Sequence, residues 1–126
     1  MRSISTAVGR SPPHEPLIHR EDQYESALFE TLNAMQTRHF WYLGRHRFLL
    51  RALQGALRHR HPAAESICGI DLGGGCGGWL RYLHRHVPAL FQELALADSS
   101  QEALSFAASV VPPGVSLHQI DLLQNP

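Results

Sequence analysis

The chain has 126 residues, of which 44% are hydrophobic, enough for one small globular domain. All eleven basic residues are arginine, which excludes Schiff-base or general-base chemistry by a lysine of this chain, and no apolar run approaches the roughly 20 residues of a membrane span. The formal net charge is zero, but residues 38–60 hold six arginines and no acid, whereas residues 61–126 hold six acids and two arginines.

The first residues and the cysteines indicate a cytoplasmic protein. The N-terminal stretch lacks the long apolar core of a secretory signal. Cys68 and Cys76 lie eight residues apart, without a second cysteine pair that could complete a zinc site. We therefore predict two free thiols and no metal site.

The N-terminal part of the chain divides into an arm and two helices. Residues 1–20 contain three prolines among small polar residues and are predicted to be disordered. Within residues 21–62, apolar side chains recur at spacings of three and four. This pattern predicts one helix over residues 22–36 and a second that follows it and ends near Pro62.

The arginines of residues 38–60 lie in and beside the second predicted helix. A basic segment of this kind can contact phosphate or nucleic acid. Arginines along one helix are more commonly its solvated face. Nucleic acid is therefore the weaker of the two interpretations of this segment.

The stretch Ile67–Leu80 combines a short apolar run, five glycines and the start of a helix. The run predicts a buried strand over Ile67–Leu72, and the next helix is predicted from about Gly78. Glycine allows positive φ angles and leaves no Cβ between the backbone and a ligand, and the N–H groups of the helix N-terminus would face the same space. This turn is the predicted ligand site. Its candidate binding glycines are Gly73, Gly74, Gly75 and Gly77.

Two cofactor patterns overlap at this turn. Gly73-x-Gly75-x-x-Gly78 fits a dinucleotide fingerprint, whereas Asp71-Leu-Gly73-x-Gly75-x-Gly77 fits an acid followed by alternating glycines. Asp71, predicted at the mouth of the site, would repel a pyrophosphate and attract an ammonium group. At these residues the chain resembles the class I S-adenosylmethionine-dependent methyltransferases. Their cofactor carries an amino group and a sulfonium but no phosphate, and the resemblance covers about residues 38–126.

The second predicted strand, Glu93–Asp98, is apolar and ends in a carboxylate. At the carboxyl end of a parallel strand, Asp98 can accept hydrogen bonds from both hydroxyls of a ribose. Ser99 follows as a further candidate binding residue, and Ser99-x-x-Glu102 predicts a capping box that opens the next helix.

A third strand is predicted over Val115–Ile120, and Asp121 follows it. The resemblance implies that Asp121 contacts the adenine amino group, as an acid after the third strand often does in that family. It also implies that Trp41 and Tyr42, before the first strand, flank the adenine or the sulfonium. The alternative is that these aromatic side chains fasten their helix to the sheet.

Alternating strands and helices predict an α/β fold, a Rossmann-like three-layer sandwich with a parallel sheet, preceded by two helices. Residues 63–126 supply about three strands, so the sheet is predicted to be incomplete and truncated before a fourth strand. The first strand would then be an exposed edge, through which the chain self-associates or recruits a partner chain.

The resemblance implies a methyltransferase, represented here by its cofactor-binding N-terminal part, with S-adenosyl-L-methionine as cofactor and a small molecule as acceptor. Alone, the chain is expected to be inactive, and no catalytic residue is assigned. Two alternatives remain open: an NAD(P)-binding oxidoreductase domain, and a non-catalytic remnant that binds a nucleoside or a protein partner.

Overall fold

The computed structural model describes residues 28–60 and 67–124. The predicted disordered arm and the predicted start of the first helix lie outside these ranges. None of the described helices is long and apolar enough to cross a membrane. The elements are α1 (Phe29–Arg38), α2 (Phe40–Arg60), β1 (Ile67–Leu72), α3 (Gly78–His86), β2 (Phe91–Asp98), α4 (Gln101–Val110) and β3 (Ser116–Gln119).

The three described strands form one parallel sheet in the order β1-β2-β3. Asp71 of β1 pairs with Leu96 of β2, and Asp98 of β2 pairs with Gln119 of β3. This order confirms the predicted α/β fold and, within the described sheet, leaves β1 at an edge. The carboxyl ends of all three strands meet at one side of the sheet, where ligands bind in open α/β folds.

The hydrophobic core lies between the sheet and one layer of helices. Leu80 and Leu83 of α3 form one buried cluster with Leu104 and Ala107 of α4 and with Leu96 of β2. Both crossovers lead in the same direction along the sheet, so right-handed connections bring both helices to the same face.

The side chains of β1 alternate between the two faces of the sheet, and those that point away from α3 and α4 are exposed. Ile70 and Leu72 are each 52% exposed. The prediction of a buried strand is therefore wrong for this half of β1. The apolar run predicted the strand correctly, but among the described residues no helix covers its second face.

The helix α2 is held against α3 by its middle and not by its aromatic start. Leu50 and Leu53 contact the core cluster. The buried His46 ring lies 5.5 Å from the ring of Trp79 and 5.1 Å from that of Tyr82, between centroids. These contacts hold α2 against α3.

Two of the three aromatic side chains at the start of α2, those of Phe40 and Trp41, are exposed. Phe40 is 78% and Trp41 63% exposed. The alternative that Trp41 fastens its helix to the sheet is therefore wrong, whereas Tyr42 is half-buried. A helix turns by about 100° per residue, and the face that meets α3 carries His46, Leu50 and Leu53 instead.

Ser100, and not Ser99, caps α4. The Ser100 Oγ accepts a hydrogen bond from the Ala103 N–H at 3.1 Å. The Asp98 Oδ1 accepts the Ser100 N–H at 2.9 Å, which forms a turn of one extra residue between β2 and the helix. The predicted capping box is therefore displaced by one residue, although Glu102 still takes part by accepting the Ser100 hydroxyl at 3.2 Å.

Candidate functional site

A cavity of about 740 Å³ lies at the carboxyl ends of the three strands. Residues 72–76 line it at the end of β1, residues 97–100 at the end of β2 and residues 120–123 after β3. The helices before the sheet close another side, and their lining residues are Phe29, Leu32, Gln36, Tyr42 and Arg45.

The glycine loop after β1 forms the floor of this cavity. Gly73 and Gly75 have φ angles of 74° and 52°, a left-handed region in which side chains are disfavoured. The N–H groups of Gly73 and Gly74 donate to the Ala97 carbonyl at 2.7 and 3.2 Å. The loop is thus tied to the end of β2, and a Cβ at Gly75 would meet no atom within 4 Å.

Asp98 joins the loop to the end of β2. Its Oδ2 accepts the Gly75 N–H at 2.9 Å, while its Oδ1 accepts the Ser100 N–H. A carboxylate has about four lone-pair sites, so both oxygens can accept further hydrogen bonds from a ligand in the cavity. The sequence therefore placed Asp98 at the correct strand end, and the structure adds that it positions the loop.

Asp71 lies beneath the loop and does not line the cavity. A Cβ at Gly74 would come within 2.7 Å of the Asp71 Oδ2, so the absence of a side chain at Gly74 makes room for this carboxylate. Burial raises the pKa of Asp71, with Asp98 raising it further, while the nearby Arg45 opposes the shift. Arg45 does line the cavity, and its positive charge acts on the Asp71 carboxylate beneath the loop.

Gly77 and Gly78 pack against protein and do not face the cavity. A Cβ at Gly77, whose φ is 75°, would clash with Val111, and one at Gly78 would clash with the Gln36 side chain of α1. Cys76, Gly77 and Gly78 are all buried. The N-terminus of α3 is therefore covered by α1, which corrects the expectation that its N–H groups face the ligand space.

The other two candidate residues lie on the cavity wall. Ser99 lines it, and its carbonyl accepts the Gln119 Nε2–H at 3.1 Å. Asp121 is buried, and its Oδ1 accepts the Leu123 N–H at 2.9 Å, which shapes the turn after β3. The structure thus brings Gly73, Gly74, Gly75, Asp98, Ser99 and Asp121 together around one cavity.

The residues that α1 contributes were not identified from the sequence. Phe29 and Leu32 were assigned no ligand role, because an apolar stripe on a helix does not reveal which surface it meets. Arg45 belongs to the basic segment, yet no local pattern separates it from the other arginines there. Cys76 is fully buried and free, and burial raises the pKa of its thiol, which fits a filler of the turn.

No protein-family model and no curated protein matches the chain. Solved structures do match it. A SAM dependent methyltransferase from Aquifex aeolicus is 15% identical to this chain, with a TM-score of 0.53. The match covers 79% of this chain and 48% of that methyltransferase. The SAM-bound amino pentose methyltransferase of calicheamicin biosynthesis from Micromonospora echinaspora is 19% identical, with a TM-score of 0.50. This match covers 82% of the present chain and 38% of that methyltransferase.

A sugar N-methyltransferase from a Streptoalloteichus species is 18% identical, with a TM-score of 0.53. The match covers 90% of this chain and 40% of the sugar N-methyltransferase. The chain therefore shares the Rossmann-like α/β fold of these structures. It spans less than half the length of each of these three structures. The predicted Rossmann-like architecture is confirmed at the level of the fold.

Proposed function

We propose that this chain is the cofactor-binding part of an S-adenosylmethionine-dependent methyltransferase. The observation that carries the proposal is the 2.9 Å hydrogen bond from the Gly75 N–H to the Asp98 Oδ2, on the wall of one cavity. This bond joins a loop without side chains to a carboxylate that can still accept hydrogen bonds from the hydroxyls of a ribose. The methyltransferase fold of the matching structures supports the same conclusion.

The cavity offers different chemistry to the two ends of this cofactor. Asp98 and Asp121 supply acceptors for the ribose hydroxyls and the adenine amino group. Arg45 supplies a positive group on the wall, and Asp71 supplies a negative charge from beneath the loop; together they suit a ligand end that carries both a carboxylate and an ammonium. The bound cofactor supplies an activated methyl group, and the role of these residues is to hold it in a fixed orientation.

An NAD(P)-binding oxidoreductase is the weaker proposal. A dinucleotide places its pyrophosphate at the N-terminus of the helix after the glycine turn. Here Gln36 lies against Gly78 at that position. The Asp71 carboxylate beneath the loop also disfavours a diphosphate.

We propose a small-molecule acceptor and assign no catalytic residue. The exposed edge of β1 supports a partner strand, either from a second copy or from another chain, that completes the sheet before methyl transfer occurs. A remnant that binds a nucleoside without catalysis would use the same cavity. Methyl transfer from a radiolabelled cofactor, measured with the sheet completed by the partner strand, separates these two functions.

Calorimetric titration with S-adenosylhomocysteine, NAD and NADP tests the ligand class. We expect S-adenosylhomocysteine to bind most tightly and Asp98→Asn to weaken it by on the order of 1.5–3 kcal/mol, the range for hydrogen bonds to a charged group. Glu93→Gln is the matched control, because Glu93 is an exposed acid of the same strand outside the cavity. Tighter binding of NAD would refute the proposal.

A further inference from the structure

The outer face of α2 exposes three large aromatic rings. Phe40 is 78%, Trp41 63% and Phe48 71% exposed. The opposite face packs on α3 through His46 and Leu50, so these rings point away from the protein. Exposed aromatic groups at this density indicate a binding surface.

Arginines occupy the same outer face. At about 100° per residue, Arg47, Arg51 and Arg58 fall on the arc that also carries Phe40 and Phe48. Arg47, Arg51 and Arg58 are exposed, and residues 38–60 contain no acid that could neutralise them. The surface is therefore both aromatic and strongly positive. We define the α2 face as Phe40, Trp41, Arg47, Phe48, Arg51 and Arg58.

The arrangement of these groups distinguishes between anionic partners. A helix that lies on a membrane separates an apolar face, which enters the lipid, from a basic face. On α2 the apolar face is already used against α3, and the outer rings and the arginines share one arc of about 120°. Exposed rings beside arginines on one face match a single-stranded nucleic acid, whose bases stack on aromatic faces while its phosphates pair with arginine.

The α2 face is also continuous with the cavity. Tyr42 and Arg45, from the same helix, line the cavity wall, and Arg45 follows Trp41 by four residues, which makes these two side chains neighbours on the helix surface. A strand bound along the helix would thus lead to the cofactor site. We propose that the α2 face binds single-stranded nucleic acid, a function that goes beyond the proposed cofactor site.

Fluorescence anisotropy with labelled 12-nucleotide single strands, of RNA and of DNA in the same sequence, tests the binding without any cofactor. We expect binding that weakens steeply with salt, because released counterions drive it. Trp41→Ala and Phe48→Ala should each weaken it by at least about fivefold, the lower end for loss of one stacked base. Arg51→Gln should reduce the salt slope by roughly 0.7, the value for one phosphate contact of a single strand. Arg85→Gln, an exposed arginine of α3, is the matched control and should change neither value.

Fluorescence of Trp41 provides a direct readout. The chain has two tryptophans, so Trp79→Phe leaves Trp41 alone. Nucleic acid should quench this signal if a base stacks on the ring. An unchanged signal with saturating RNA and DNA would refute the stacking that the proposal requires.

Two further outcomes would overturn the inference. Equal affinity of the Arg51→Gln and Arg85→Gln variants would show that α2 is not the surface. Tighter binding to vesicles of phosphatidylglycerol than to either single strand would assign the face to a membrane. Calorimetry with S-adenosylhomocysteine on Arg51→Gln separates the two proposals, because this variant should bind nucleic acid more weakly and bind the cofactor product unchanged. If the chain binds nucleic acid but does not bind S-adenosylhomocysteine, the proposal for the α2 face holds and the proposed methyltransferase function is refuted.

Discussion

Gly75 combines two properties that can be tested separately. Its φ of 52° favours glycine, and the space where a side chain would extend is empty. A β-branched replacement would strain the backbone as well as fill the cavity, so loss of binding would be ambiguous. Asparagine tolerates the left-handed region better than other side chains.

We therefore expect Gly75→Asn to fold and to lose S-adenosylhomocysteine binding by more than about tenfold, since its side chain enters the cavity. Gly114→Asn is the control, because Gly114 has a φ of 90°, an equally open Cβ position and no part in the cavity. Thermal unfolding measures the strain in both variants, and calorimetry measures the affinity. Equal affinities would mean that the loop is only a connection.

Asp71 predicts a pH dependence of binding. Burial raises its pKa above the ordinary 3.8, so the carboxylate becomes protonated at a higher pH than an exposed aspartate would. Only the ionised form attracts the ammonium of the ligand. Affinity for S-adenosylhomocysteine should therefore rise as the pH rises through this pKa, and Asp71→Asn should abolish that rise. A pH profile that is unchanged in Asp71→Asn would exclude this carboxylate from binding.

At the scale of elements, the contact between α2 and α3 contains a buried titratable group. His46 is 3% exposed, and its Nδ1 has no hydrogen-bond partner in the part of the chain that the structure describes. Burial lowers its pKa from 6.5, and the positive charges of Arg45 and Arg81 lower it further. The folded state therefore binds a proton less tightly than the unfolded state does.

This shift predicts that the free energy of unfolding falls as the pH falls below about 6.5, the unfolded value, toward the lowered folded pKa. His46→Phe keeps a ring between Trp79 and Tyr82 and removes the proton, so it should flatten this part of the stability profile. His59→Phe, an exposed position of the same helix, should leave the profile unchanged. Urea unfolding at several pH values provides the measurement, and an equally steep profile in His46→Phe would contradict the assignment.

At the scale of the whole molecule, β1 leaves an incomplete surface. Its backbone is unpaired on one side within the described sheet, and Ile70 and Leu72 are half-exposed beside that edge. No lysine or proline lies in β1 to hinder pairing with another strand. Strand addition would cover both the polar edge and the apolar side chains.

We expect the 126-residue chain to self-associate through this edge. Ile70→Lys should shift it toward the 14.1 kDa monomer, because a charge on an edge strand opposes pairing. Met35→Lys, at a partly exposed position of α1, is the control and should not change the mass. Size-exclusion chromatography with light scattering measures both variants. A wild-type monomer that transfers methyl groups alone would show that three strands suffice.

The sequence by itself determined the features that depend on neighbouring residues. Glycines that permit positive φ, apolar runs of strand length and acids at strand ends are local signals, and they located the loop after β1 together with Asp98 and Asp121. Parallel order followed from the alternation of strands and helices. Only the tertiary structure showed which side chains from other elements lie against the glycine loop and its acids. Gln36 lies over Gly78 and Arg45 lies near Asp71, although each pair is more than 25 residues apart in the chain. Such contacts depend on how whole helices pack, which periodicity along one helix does not specify.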